Sequence, residues 1–85
     1  MRSVWKTTYD ENEIEIENTW FQGERLYVNG KLQDERQNFF SADLSGHLIN
    51  KNNNKENIKV NMSGWVKINC RLFINDQKVE VKQIQ

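Results

Sequence analysis

The chain has 85 residues, of which 36% are apolar, and this suffices for one small hydrophobic core but not for two. Twelve basic and twelve acidic side chains cancel, so the sequence lacks the excess of cations on which electrostatic binding of nucleic acid or acidic lipid depends. One Cys and one His exclude a disulfide framework and a His/Cys metal cage built from this chain alone.

The apolar runs are too short for a membrane span, and the N-terminus lacks the apolar segment of a signal peptide. We therefore expect a single cytoplasmic domain over residues 1–85, without cofactors, and with neither membrane nor nucleic acid among its partners.

Apolar residues recur at every second position along much of the chain, which is the period of a half-buried strand. In chain order, the predicted strand segments are 5–9, 13–17, 25–28, 31–33, 39–44, 47–49, 58–62, 65–75 and 79–81. Predicted turns lie at Asp10-Glu11-Asn12, Asn29-Gly30, Ser45-Gly46 and Asn75-Asp76-Gln77, residues 18–23 form a connection, and 50–57 form an exposed loop. Valine and isoleucine together outnumber leucine by more than two to one, and there is a single alanine, which also favours strands.

This pattern predicts an all-β fold, a small antiparallel β-sandwich of seven to eight strands with no helix. Its core is predicted to comprise Trp5, Ile14, Ile16, Leu26, Val28, Phe40, Leu44, Ile58, Val60, Val66, Ile68, Cys70, Leu72, Ile74, Val79 and Val81.

One sequence motif occurs twice. Arg25-Leu26-Tyr27-Val28-Asn29-Gly30 is matched in residue type by Arg71-Leu72-Phe73-Ile74-Asn75-Asp76. Two β-hairpins of similar design explain every matched residue, and two equivalent binding loops are the functional alternative.

These motifs resemble one repeat of the Fas apoptotic inhibitory molecule family. The resemblance depends on the alternating segment 13–17, the stretch 23–31, Leu44-Ser45-Gly46, Ile58-Lys59-Val60 and the stretch 71–78. It covers nearly the whole chain, although members of that family carry two tandem domains. The resemblance implies a β-sandwich without catalytic residues that acts in the cytosol through protein contacts.

Three residue groups could suggest chemistry. His47 with Asp43 and Ser41 has the composition of a hydrolase triad, but we expect these residues to diverge to alternate faces of one hairpin. Cys70 lies on the apolar face of the predicted strand 65–75 and is expected to be buried and inert. Three glutamates in the segment 13–17 are spaced about 7 Å apart along a strand, too far for one metal ion, so we expect them to pair with Lys6, Arg25, Lys67 or Arg71.

Tyr27 and Phe73 lie out of phase with the core and are the candidate interaction surface, although packing beneath the 18–23 connection would also explain the two rings. We expect a non-enzymatic module that binds an unknown protein partner or associates with a second copy. A carbohydrate-binding or small-ligand-binding domain that uses exposed aromatic and asparagine side chains is the alternative.

Overall fold

A computed structural model describes residues 2–19, 23–37, 41–64 and 67–85. Its strands are β1 (Arg2–Tyr9), β2 (Asn12–Thr19), β3 (Gly23–Val28), β4 (Lys31–Arg36), β5 (Ser41–Ile49), β6 (Lys55–Ser63), β7 (Asn69–Ile74), β8 (Gln77–Val79) and β9 (Lys82–Gln83). They form two antiparallel sheets, sheet A in the order β4-β3-β2-β1-β9 and sheet B in the order β5-β6-β7-β8. The predicted all-β sandwich without a helix is confirmed for the described residues, which form nine strands rather than the predicted seven to eight.

The two sheets are built on the same plan. Strands β1 to β4 and strands β5 to β8 each form a meander in which every strand pairs with the next in the chain. The central pairs correspond: Ile14–Val28 and Ile16–Leu26 in sheet A match Ile58–Ile74 and Val60–Leu72 in sheet B. Each copy of the repeated motif is therefore a central strand together with the turn that follows it.

A single core lies between the sheets. Its buried residues are Trp5, Ile14, Ile16, Leu26, Val28, Leu44, Leu48, Ile58, Val60, Met62, Leu72 and Ile74. Of the remaining predicted core residues, Ile68, Cys70, Val79 and Val81 are only partly buried against this cluster, and Phe40 and Val66 lie outside the described residues. The sequence did not predict the burial of Val4, Leu48 and Met62.

The predicted turn at Ser45-Gly46 is wrong, because β5 runs without a break from Ser41 to Ile49. The chain reverses further on, where the side-chain oxygen of Asn50 accepts hydrogen bonds from the backbone amides of Asn52 and Asn54, both at 2.9 Å. The exposed loop is consequently shorter than predicted, since β6 already begins at Lys55.

The segment predicted as one long strand, 65–75, is also shorter in the structure. Strand β7 begins at Asn69, and the described residues 67–68 before it are not in a strand. The predicted connection 18–23 is reduced as well, because β2 extends through Thr19 and β3 begins at Gly23. Trp20 and Phe21, expected to fold over the core, lie outside the described residues.

The last strands cross from one sheet to the other. Strand β8 pairs with β7 in sheet B, whereas β9 pairs with β1 in sheet A through Trp5–Gln83 and Lys6–Lys82. The crossing residues Glu80 and Val81 therefore connect an edge strand of sheet B to an edge strand of sheet A.

Candidate functional site

The two candidate rings lie on the outer faces of different sheets. Tyr27 is opposite Glu15 on β2, in a row that faces away from the core, and Phe73 is opposite Lys59 on β6 and Lys78 on β8. Both rings are half-buried. They therefore do not form one continuous patch, and each has to be considered as a separate surface.

Charges around Tyr27 are paired on sheet A. The Lys6 ammonium lies 3.5 Å from Glu13 and 3.3 Å from Glu15, and the hydrogen bond to Glu15 raises the pKa of Lys6. The predicted pairing of this acidic strand with Lys6 is thus confirmed. Arg2 rather than Arg25 pairs with Glu17, at 2.6 Å.

Arg25 instead lies 3.2 Å from Glu35 on β4, and this hydrogen bond raises the pKa of the guanidinium. With these cross-strand pairs in place, neither charge sign dominates the outer face of sheet A.

The outer face of sheet B carries an excess of cations around Phe73. Strand register places Lys55, Lys59, Arg71 and Lys78 on this face. Asp43 shares the face, and Asp76 in the adjoining turn lies 3.3 Å from Lys59. The neutral composition of the whole chain therefore conceals a basic surface on one sheet.

A shallow depression of about 470 Å³ adjoins the ring of Phe73 on this face. Its lining also includes Arg36, Asp43, Lys59 and Asn61. The Asn61 amide donates a 2.8 Å hydrogen bond to Asp43, and Arg71 donates one of 3.2 Å to Asn61. We call this the Phe73 depression; it combines an aromatic wall with charged and amide side chains.

The structure places Asp43 and His47 on the same face of β5, because the strand is continuous. The expectation that they diverge to alternate faces is therefore wrong. Four residues of extended chain separate them by about 13 Å, too far for the hydrogen bond that a catalytic pair needs. The side chain of Ser41 lies outside the described part of the structure.

Cys70 points inward from β7, opposite Met62, and is half-buried. Burial raises the pKa of its thiol to about 12, so the thiol form prevails at neutral pH. The thiolate is the nucleophilic form of cysteine, so a cysteine that stays protonated is a poor nucleophile, as the sequence led us to expect.

A polar network at one end of the sandwich was not anticipated. Asn29 and Asn75 both adopt positive φ, at 52° and 49°, and they make equivalent hydrogen bonds. The Asn29 side chain accepts from the Glu13 amide and donates to Asn12, each at 2.9 Å. Asn75 accepts from the Asn57 amide at 2.9 Å and donates to Glu56 at 3.0 Å.

Further bonds from this network join the two sheets. The Tyr9 hydroxyl donates to Glu56 at 3.0 Å, which raises the pKa of Tyr9, and the Asn12 amide donates to the Ile49 carbonyl at 3.0 Å. Because its groups bond to one another, this network serves to tie the turns together. The sequence signal was the asparagine at the fifth position of each copy of the repeated motif.

Comparisons of the chain with protein-family models, with curated proteins and with solved structures found no match. Among the described residues, no helix has the length and apolar character to cross a membrane. Within the same ranges, no group of three His, Cys, Asp or Glu side chains is placed to bind a metal ion.

Proposed function

We propose that this protein is a non-enzymatic module that binds a partner protein through the Phe73 depression. The observation that carries the proposal is the position of Phe73, half-buried at the centre of an outer sheet face and flanked by Lys59 and Lys78. Aromatic side chains are enriched at protein interfaces, where they supply most of the binding energy, and neighbouring charges set specificity. The resemblance to the Fas apoptotic inhibitory molecule family supports the same class of function.

Phe73 is favoured over Tyr27 because of their surroundings. Near Tyr27, cations and carboxylates on neighbouring strands already pair within the chain. Beside Phe73, Lys78 makes no ion pair with a described residue, and a depression adjoins the ring. Tyr27 remains a second candidate surface, for association with another copy of the chain.

The test compares Phe73→Ser with Tyr27→Ser as a matched control on the opposite face. Sedimentation velocity measures self-association, and affinity capture followed by quantitative mass spectrometry measures partner binding. We expect Phe73→Ser to lose the partner that the wild-type chain and Tyr27→Ser both retain, with unchanged circular dichroism. Equal capture by all three folded proteins would refute the proposal.

A carbohydrate ligand is the second candidate, and the amide and the carboxylate beside the ring favour it. Asn61 and Asp43 lie in the same depression as Phe73, and sugars are bound by such hydrogen-bonding groups next to an aromatic ring. A glycan array and a thermal-shift screen with sugars separate the two functions. Saturable binding to one glycan that is lost in Phe73→Ser would show that the depression binds a carbohydrate rather than a protein partner.

A further inference from the structure

A second surface lies at the β8 edge of sheet B. Strand β8 is shorter than β7 and does not extend as far as the start of β7. Strand β8 pairs with Leu72, Phe73 and Ile74 only, and after Val79 the chain leaves for sheet A. The first half of β7, residues 69–71, therefore has no strand partner on this side within the described ranges.

The register shows which backbone groups face the gap. In the two-residue hairpin at Asn75-Asp76, the flanking residues Ile74 and Gln77 form a hydrogen-bonded pair, and such pairs recur at every second residue. Leu72 is the next residue of β7 whose N–H and C=O point toward β8, and Cys70 is the one after it. The backbone groups of the alternate residues point toward β6 instead. Asn75, for example, donates its N–H to the Asn57 carbonyl on the β6 side at 2.9 Å.

A cleft of about 420 Å³ adjoins this free backbone edge. Trp5, Ile68, Cys70 and Val81 contribute apolar side chains to its lining, next to the polar side chains of Asn69 and Gln83.

The outer rim of the same cleft carries three exposed cations, Lys67, Arg71 and Lys78, and no acidic side chain among its described lining residues. None of the three cations forms an ion pair with another described residue. We call this the seam cleft.

We infer that the seam cleft binds an extended acidic segment of a partner protein, which adds to sheet B as a strand beside Cys70. Backbone hydrogen bonds supply the pairing in this mode, and alternate side chains supply the specificity. Apolar side chains of the segment face Ile68 and Val81, while the intervening acidic side chains face Arg71 and Lys78. The segment is thus defined by alternating apolar and acidic residues.

The inference can be tested separately from the Phe73 depression, although Lys78 both flanks Phe73 and lines the seam cleft. The cleft opens beside Cys70 at the edge of the sheet, whereas the ring of Phe73 lies on the outer face beyond it. Phe73→Ser should therefore leave the seam cleft functional, so failure of one proposal is distinguishable from failure of the other.

The probe is a six-residue capped peptide of alternating valine and glutamate, titrated into the isotopically labelled full chain. We expect the largest NMR shift changes at the amides of Cys70, Arg71 and Val81. A valine–lysine peptide of the same pattern is the charge control. The spacing control is a peptide of the same composition in which three valines are followed by three glutamates. Both controls should bind more weakly.

The matched variants are the double substitution Arg71→Glu with Lys78→Glu, and Lys55→Glu, which changes charge on the same sheet but away from the cleft. The double reversal should weaken the valine–glutamate peptide by roughly tenfold or more, since two attractions become repulsions, while Lys55→Glu should change it little.

Three outcomes would overturn the inference. The first is the absence of any shift change at Cys70 at millimolar peptide. The second is equal binding of the valine–lysine peptide, because charge complementarity would then play no part. The third is displacement of the shifts by a single-stranded thymidine oligonucleotide that binds more tightly, because the cleft would then be a nucleic-acid site.

Discussion

Replacement of Asn29 or Asn75 by glycine tests whether the two repeated turns depend equally on their asparagine side chains. Glycine retains the positive φ that both positions adopt, so the substitution removes hydrogen bonds without adding backbone strain. Each asparagine makes two side-chain bonds, and each bond contributes about 0.5–1.5 kcal/mol to the free energy of unfolding. Both variants should therefore be destabilised.

The costs should nevertheless differ, because the groups left behind differ. Asn12, which loses its donor in Asn29→Gly, is buried, and an unsatisfied buried acceptor costs about 1–3 kcal/mol. Glu56, which loses its donor in Asn75→Gly, is only half-buried and still accepts bonds from Tyr9 and Asn50. We expect a loss of about 2–3 kcal/mol for Asn29→Gly and about 1 kcal/mol for Asn75→Gly.

The assay is denaturant unfolding followed by far-UV circular dichroism. Asn53→Gly is the matched control, since Asn53 also has positive φ, at 64°, but its side chain makes no hydrogen bond to a described residue. That control should change stability by less than about 0.5 kcal/mol. An Asn75→Gly loss equal to or larger than that of Asn29→Gly would refute the reasoning from burial, and a loss in the control would show that asparagine acts through the backbone.

Leu72→Ala should cost about 2–5 kcal/mol because Leu72 is fully buried, and Lys67→Ala less than about 0.5 kcal/mol because Lys67 is exposed; equal losses in denaturant titration would contradict the assigned core. Gly30→Ala should lower the free energy of unfolding by only about 1 kcal/mol, because the residue has positive φ but the space around it is open. At Gly23 a new Cβ would also clash with backbone of the neighbouring strand, so Gly23→Ala should unfold at a clearly lower denaturant concentration. For Cys70 the folded-state pKa is raised, so its contribution to stability is complete below the unfolded thiol pKa of about 8.5 and is lost as pH rises toward 12. Because the raised pKa values of Lys6 and Tyr9 also make stability fall at alkaline pH, unfolding at stepped pH should show a steeper decline in the wild-type chain than in Cys70→Val.

The alternation of apolar residues predicted the central strands correctly because both central pairs of each sheet have one face in the core. Ile14 and Ile16, for example, are fully buried, and their glutamate neighbours carry the ion pairs of the outer face. The turns after Val28 and Ile74 were equally predictable, since asparagine followed by glycine or aspartate tolerates the positive φ found there.

Gly46 shows why a local signal failed. Its glycine looked like a turn residue, yet it lies within β5, where a Cβ would come within 3.1–3.2 Å of Gln33 on β4 and within 3.2 Å of Leu26 on β3. The requirement is close packing between strands that are distant in sequence. The false turn also concealed Leu48, which follows Leu44 in phase on the same buried face.

The candidate surfaces depended still more on tertiary structure. The sequence indicated that Tyr27 and Phe73 face outward, but their separation on two sheets follows only from the strand order. Likewise, the short span of β8 and the crossing to β9 produce the seam cleft, and neither leaves a pattern in the residues themselves.

The topology has a consequence for how the chain folds. Every strand pairing in the described sheets joins neighbours along the chain, except that of β1 with β9, which brings together residues near the two ends. Pairings between adjacent strands close short loops at small entropic cost, whereas the β1–β9 pairing closes nearly the whole chain. We therefore expect the two hairpin-rich halves to form early and the C-terminal strand to attach to β1 late in folding.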